Sequence, residues 1–373
     1  MSAFQGEVAS AADWRGAELA HENEWIRHLT DAEIGELETA LAHAKAKGLS
    51  GTQVTRADFP LPGMAATLDA LGEELANGRG FFLLRGLPVW RYSKEDAATI
   101  YWGLGTYLGR PWPQNARGDL LGDVRDTGKS IADPHVRGYE TTVHLPFHTD
   151  GSDLVGLLCL RDAKSGGLSS LVSSVACHNE LARTRPDLLK RLYEPFFYDW
   201  RGEHPAGGDP YYAMPVFTLH DGRLFNRYIR GYINSAQRFQ ELPRLSPFEI
   251  EALDTLDGLT MNPEFRLDMV LQPGDMQFIN NSVLFPPQTK YEDFEDEDRR
   301  RHRKRLWLAT DKIVSRPKSF EDRGYDRFIP SASVFFTLRG CLPGLLRLRG
   351  AAHLGTLRTR QWRCRQGCGE LFS

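Results

Sequence analysis

The sequence predicts an α+β protein with a sandwich or jelly-roll core and flanking helices. Three observations carry this. Helical periodicity is strongest in the first hundred residues, the chain beyond breaks into short apolar runs, and glycine-rich turns such as Ser165-Gly166-Gly167 separate those runs. Residues 31–47 place Ile34, Leu37, Leu41 and Ala44 at helical spacing, with Gly48 as the stop. A second helix is expected over 63–76. Gly80-Phe81-Phe82-Leu83-Leu84-Arg85-Gly86 is short, apolar and bounded by glycines, the pattern of a buried strand. Ser93 caps a helix reaching residue 104. Residues 119–139 are rich in Asp, Gly and Pro and predict a long loop. Strands are expected at 154–160 and 168–174, a helix over 178–193, and further strands around Val216, Arg227 and 269–279. From residue 319 the periodicity is lost. The chain therefore divides into an N-terminal helical region (1–77), a central domain (78–315) and an irregular tail (316–373) with the character of a disordered segment. Cys341, His353, Cys364 and Cys368 in that tail are residue types that hold structural zinc, a reading weighed against disorder.

With 373 residues, 41% of them hydrophobic, the chain can bury one large core or two smaller ones. Lys and Arg number 46 against 49 Asp and Glu, so the basic excess of a nucleic-acid or membrane-surface binder is missing. No apolar run reaches about 18 residues, and residues 1–12 lack the architecture of a signal peptide. Five cysteines are an odd set, and Cys159 and Cys177 lie within apolar runs, which suits free thiols in a reducing compartment. The expectation is a cytoplasmic protein that binds small molecules, with neither nucleic acid nor membrane as partner.

The chemistry centres on Phe147-His148-Thr149-Asp150. An imidazole and a carboxylate two residues apart on a strand share a face. They make half of the open-sided 2-His-1-carboxylate set that holds non-haem Fe(II). Taken alone, the triplet reads better as a surface or turn pair with no metal, and the basic run 299–305 as a solvated face. Trp102, Trp112 and Trp307 read as core, and Gln114 and Asn115 as cavity lining or turn residues.

Several motifs in order sharpen the reading. They are the 80–86 run, Pro113-Gln114-Asn115-Ala116-Arg117-Gly118, Phe147-His148-Thr149-Asp150-Gly151, Ser165-Gly166-Gly167-Leu168-Ser169, Pro273-Gly274-Asp275-Met276-Gln277-Phe278-Ile279-Asn280-Asn281 and Arg301-His302-Arg303-Lys304-Arg305-Leu306-Trp307. Over residues 78–310 this set resembles the TauD/TfdA-like branch of the Fe(II)/2-oxoglutarate-dependent dioxygenases. The resemblance implies a double-stranded β-helix, a clavaminate synthase-like jelly roll, with Fe(II) as cofactor and 2-oxoglutarate and O2 as cosubstrates. It implies His148 and Asp150 as metal ligands, Ser169 as a hydroxyl on the 2-oxoglutarate carboxylate, and Arg305, with Arg301 close by, as the guanidinium gripping that carboxylate.

One position departs from the family pattern. After Asn280-Asn281 the family continues into a second metal-binding histidine and, two residues on, an arginine; here those places hold Pro286 and Gln288. Proline offers no donor atom. His144 stands four residues from His148, roughly 13 Å at strand rise, and His302 is out of phase with Arg301 and Arg305. Gln288 and Asn281 offer only an amide oxygen. Two readings remain: an oxidoreductase that hydroxylates or otherwise oxidises a small molecule while converting 2-oxoglutarate to succinate, and a catalytically impaired relative serving as a binding module or partner subunit.

Overall fold

The computed structural model describes residues 6–115, 117–128, 141–142, 144–204 and 207–321. The tail cysteines and residues 129–140 of the expected loop lie outside them. The centre is a seven-stranded sheet in the order Ile26–His28, Phe81–Arg85, Met276–Asn280, Leu154–Arg161, His302–Ala309, Arg110–Pro111, with Leu121–Val124 also pairing with His302–Ala309. Its first pair is parallel and the others antiparallel. Facing it is a three-stranded sheet of Arg266–Met269, Ser169–Ser173 and Leu284–Phe285.

Strand alternation assigns the two faces of the large sheet. Leu84, Leu154, Leu158, Met276, Phe278, Leu306 and Leu308 bury against helices Asp31–Ala46, Ala65–Asn77 and Lys94–Leu108, whose Leu37, Leu68, Ile100 and Tyr101 are fully buried. Phe81, Leu83, Val155, Cys159, Ile279 and Trp307 turn the other way, into a core shared with Leu171, Val172, Leu284 and Phe285 of the small sheet. Between these two sheets the interior of the jelly roll forms. Gly156 permits the helix-side packing: a Cβ there would collide with Tyr101 Oη and the Phe278 ring.

Local chemistry explains most of the expected elements. Thr30 and Glu33 form a reciprocal capping box at the start of Asp31–Ala46, and Ser93 accepts the Asp96 N–H at 3.0 Å to begin Lys94–Leu108. Four expectations are corrected. Residues 121–124 are a strand within the expected loop. The helix expected over 178–193 is two, Ser174–Thr184 and Pro186–Leu192, because Arg185 precedes a proline and leaves the helical region. The run 269–279 is divided between the two sheets by the turn at Gly274, where Arg85 pairs with buried Asp275 at 2.7 Å. His148 lies on an isolated bridge rather than in a strand. Among the described residues, no helix is long and apolar enough to cross a membrane, and Cys159 and Cys177 are buried free thiols.

Candidate active site

The segment 145–150 has no strand of its own, so its shape is fixed by what grips it. On one side Leu145 and Gln288 exchange backbone hydrogen bonds of 2.8 and 3.1 Å, and the His148 N–H donates to the Pro286 carbonyl at 3.1 Å. On the other, Thr149 N–H donates to Tyr228 O at 2.8 Å, and Tyr228 N–H returns to Thr149 Oγ1 at 2.9 Å. Asn281, fully buried, clamps the Asp150 backbone from both ends: Oδ1 accepts its N–H at 3.1 Å and Nδ2 donates to its carbonyl at 2.6 Å. Arg227 Nη1 donates to the carbonyls of Thr149 and Asp150 at 3.1 and 2.9 Å, while its other nitrogens donate to Tyr212 Oη.

With the backbone held this way, the side chains converge. His148 Nδ1 lies 2.8 Å from Pro146 O, a contact that needs the proton on Nδ1 and leaves the Nε2 lone pair free. That nitrogen is 3.9 Å from Asp150 Oδ1, and Arg305 Nη1 is 4.0 Å from the same oxygen. Two donors each about 2.1 Å from one ion stand roughly 3 Å apart, so a small closure lets them share a metal. Arg305 reaches the site from the strand His302–Ala309. Its Nε donates to Gln114 Oε1 at 2.8 Å, Gln114 Nε2 donates back to the Arg305 carbonyl at 2.9 Å, and the guanidinium lies 5.1 Å from the Trp307 ring.

A family model described as "Taurine catabolism dioxygenase TauD, TfdA family" matches residues 45–307. The chain belongs to this family. Among relatives, it is 32% identical over 307 residues to FR-33289 synthase of Streptomyces rubellomurinus, covering 81% of this chain and 90% of that protein. It is 28% identical to a taurine hydroxylase-like protein of Stachybotrys chartarum, over 83% and 82% of the two chains. Among solved structures, asparagine oxygenase in complex with Fe(II), 3-hydroxyasparagine and succinate superposes with a TM-score of 0.58 at 17% identity, covering 76% of this chain and 93% of that one. The non-haem iron oxygenase OrfP with Fe and α-ketoglutaric acid gives 0.57 at 17%, covering 76% and 94%. The fold is thus the jelly roll of this TauD/TfdA dioxygenase family, whose cofactor is Fe(II) and whose cosubstrate is 2-oxoglutarate.

Against that family the remaining residues sort clearly. Ser169 is buried and donates to Gln277 Oε1 at 2.8 Å; Gln277 stands in one cross-strand row with Leu157 and Arg305 on the inner face. Arg301 is buried over the Tyr291 ring, 4.5 Å from its centre. Pro286 sits beside His148 and offers its neighbour only a carbonyl. None of the four substitutes completes a ligand set. His144 is exposed, and His302 faces away and pairs with Asp123 at 2.5 Å. Asn281 is spent on backbone groups, and Gln288 Nε2 is held by Thr141 O at 3.0 Å. Among the described residues no group of three His, Cys, Asp or Glu side chains is placed to hold a metal.

The sequence alone missed two groups. Gln114 orients Arg305 rather than lining a cavity or making a turn; Asn115 makes the turn, accepting the Arg117 N–H at 3.0 Å. Arg303 is buried in the interior, and the only sequence signal for it is its shared parity with Arg301 and Arg305. Of the three tryptophans read as core, Trp102 Nε1 donates to Val54 O at 2.7 Å, whereas the Nε1–H groups of buried Trp112 and Trp307 have no hydrogen-bond acceptor among the described residues.

Proposed function

We infer that this TauD/TfdA dioxygenase hydroxylates or otherwise oxidises a C–H bond of a small molecule, consuming 2-oxoglutarate and O2 and releasing succinate. The observation that carries the reading is the convergence of His148 Nε2, Asp150 Oδ1 and Arg305 Nη1 within 4.0 Å steps. His148 and Asp150 would hold Fe(II), and the keto-acid end of 2-oxoglutarate would supply two further oxygen donors. When bound, the metal supplies oxygen activation coupled to decarboxylation of the keto acid.

The chain's own residues do the positioning. The Nδ1 contact with Pro146 O fixes the His148 tautomer and presents Nε2. Asn281 and Arg227 fix the Asp150 backbone so that its carboxylate stays beside that nitrogen. Arg305, held by Gln114 and Trp307, grips the far carboxylate of 2-oxoglutarate, with Ser169 and Arg301 close by. A cavity of about 250 Å³ is lined by Gly151 and Ser152, which follow Asp150, and by Trp112, Asp153 and Arg110. Its lining also includes Thr310, Asp311, Arg316 and Phe320 and none of His148, Asp150 and Arg305, so it offers a small molecule a place beside the candidate ligands rather than on them.

Pro286 carries a second reading, a member that keeps the jelly roll as a binding module. One experiment separates the two. Under anaerobic conditions, Fe(II) and 2-oxoglutarate together should give a weak visible charge-transfer band that His148→Ala abolishes. Absence of the band, together with no succinate formed above the His148→Ala control, removes the oxidoreductase reading and leaves the binding module.

A further inference from the structure

A two-stranded hairpin outside both main sheets reaches the metal-ligand segment through one arginine. Its strands, Pro195–Asp199 and Tyr211–Pro215, pair antiparallel, with Tyr198 directly opposite Tyr212. The two rings stack, 5.1 Å between centres and 13° from parallel, and Trp200 packs on Tyr212 at 4.4 Å. The first strand ends on Asp199, which is buried. Its carboxylate accepts from Arg238 Nε and Nη2 at 2.9 and 3.1 Å, from Ser235 Oγ, and from the Arg201 N–H at 2.7 Å. The hairpin is thereby fastened to the helix Arg230–Ala236 and the turn that follows it.

Arg227 is held by this hairpin at three points. Its N–H donates at 2.8 Å to the carbonyl of Val216, the residue after the second strand, and its own carbonyl accepts from Tyr198 Oη at 2.7 Å. Its Nε and Nη2 both donate to Tyr212 Oη, at 3.2 and 2.9 Å. Nη1, the nitrogen left over, is the atom that holds the carbonyls of Thr149 and Asp150. Among the described residues Arg227 has no ion pair, so its donors are committed to two carbonyls and one phenol oxygen.

A guanidinium is planar, so fixing one edge aims the other. Two bonds to a single oxygen set the plane, and in that plane Nη1 reaches both carbonyls. We propose that Tyr212 is a positioning residue for the metal ligand Asp150, acting through Arg227, and that the hairpin thereby sets the reach of the Asp150 carboxylate towards His148. The inference rests on the reading of Asp150 as a ligand to Fe(II). Tyr212 itself touches neither the metal position nor a ligand side chain; its hydroxyl supports the group that supports the ligand. A tyrosine that only held the hairpin together by its ring would be replaced by phenylalanine with no effect on the metal.

The test is Tyr212→Phe in the full-length protein, with Tyr211→Phe as the control. Tyr211 is the preceding residue on the same strand, and its ring packs on Phe197 and Phe239 instead. In metal-free protein, hydrogen–deuterium exchange of the peptide covering residues 148–152 should run several-fold faster in Tyr212→Phe than in wild type. Co(II), titrated anaerobically by its visible bands without 2-oxoglutarate, should bind Tyr212→Phe about tenfold more weakly, the usual loss when a group supporting a ligand is removed. Tyr211→Phe should match wild type in both readouts. Unchanged exchange at 148–152 overturns the proposal. So does faster exchange with an unchanged Co(II) affinity, which makes the Tyr212 hydroxyl structural only. Tyr212→Leu repeats both measurements if the phenylalanine variant does not fold. A wild type that binds no Co(II), with exchange still faster in Tyr212→Phe, would sink the metal-ligand reading of Asp150 and leave the hold of Tyr212 on that segment standing.

Discussion

Replacing Pro286 with histidine should rebuild the metal site. The Pro286 carbonyl accepts the His148 N–H at 3.1 Å, so the two residues are neighbours across a gap of about 4.8 Å, one strand spacing. The substitution sacrifices no hydrogen bond, because proline has no N–H to donate, and residue 287 is also proline, which keeps residue 286 extended. Four-ligand protein sites bind zinc with about 10–16 kcal/mol, roughly 3 kcal/mol per ligand. Ordering the new imidazole costs about 1 kcal/mol of that. The net gain is about 2 kcal/mol, a roughly thirtyfold lower Kd. Anaerobic calorimetry with Fe(II), and visible titration with Co(II), would measure it against wild type and Pro286→Ala. If Pro286→His binds no tighter than Pro286→Ala while both melt like wild type, residue 286 does not face the space between His148 and Asp150, and the site described here is wrong.

Other consequences follow from the same geometry. Asn281→Leu removes the clamp on Asp150 and Ser152 and leaves buried backbone groups unpaired. It should cost about 2–4 kcal/mol of stability in denaturant melts and weaken metal binding as well. Gln114→Leu frees the Arg305 Nε from its acceptor; the KM for 2-oxoglutarate should rise several-fold with little change in fold, and an unchanged KM would remove Gln114 from the site. Gly156→Ala drives a methyl into Tyr101 and Phe278 and should cost about 1–3 kcal/mol, read as a lowered denaturation midpoint. Burial opposes the charged form of Asp123, but hydrogen bonds from His302 and Lys304 outweigh it and hold the carboxyl below its usual range. A depressed folded-state pKa stabilises the protein above the unfolded value near 3.9 and is lost as pH falls below it. Asp123→Asn should therefore flatten the acid limb of the stability profile, and an unchanged limb would show that this contact contributes nothing.

Much of this protein was legible before any coordinates. The capping chemistry of Thr30 and Ser93, the apolar run at 81–85 and the glycine turns are local signals, and local signals fix where elements begin and end. The residue types at 148, 150, 169, 301 and 305, in family order, named the candidate chemistry for the same reason. Where chain-local reasoning went astray, a longer-range partner decided the outcome. Residues 121–124 became a strand because His302–Ala309 offered an edge, and 269–279 divided because its two halves pair with different sheets.

What the sequence determined by itself was the fold class, the candidate pair His148 and Asp150 and the absence of a donor at Pro286, since each is written in side-chain type and spacing. Only the tertiary structure decided that Asn281 and Arg227 hold the Asp150 backbone and that Gln114 serves Arg305. The contacts of Asn281, Arg227 and Gln114 join residues from 77 to 191 positions apart, and hydrogen bonds across such separations exist only once the strands are in register.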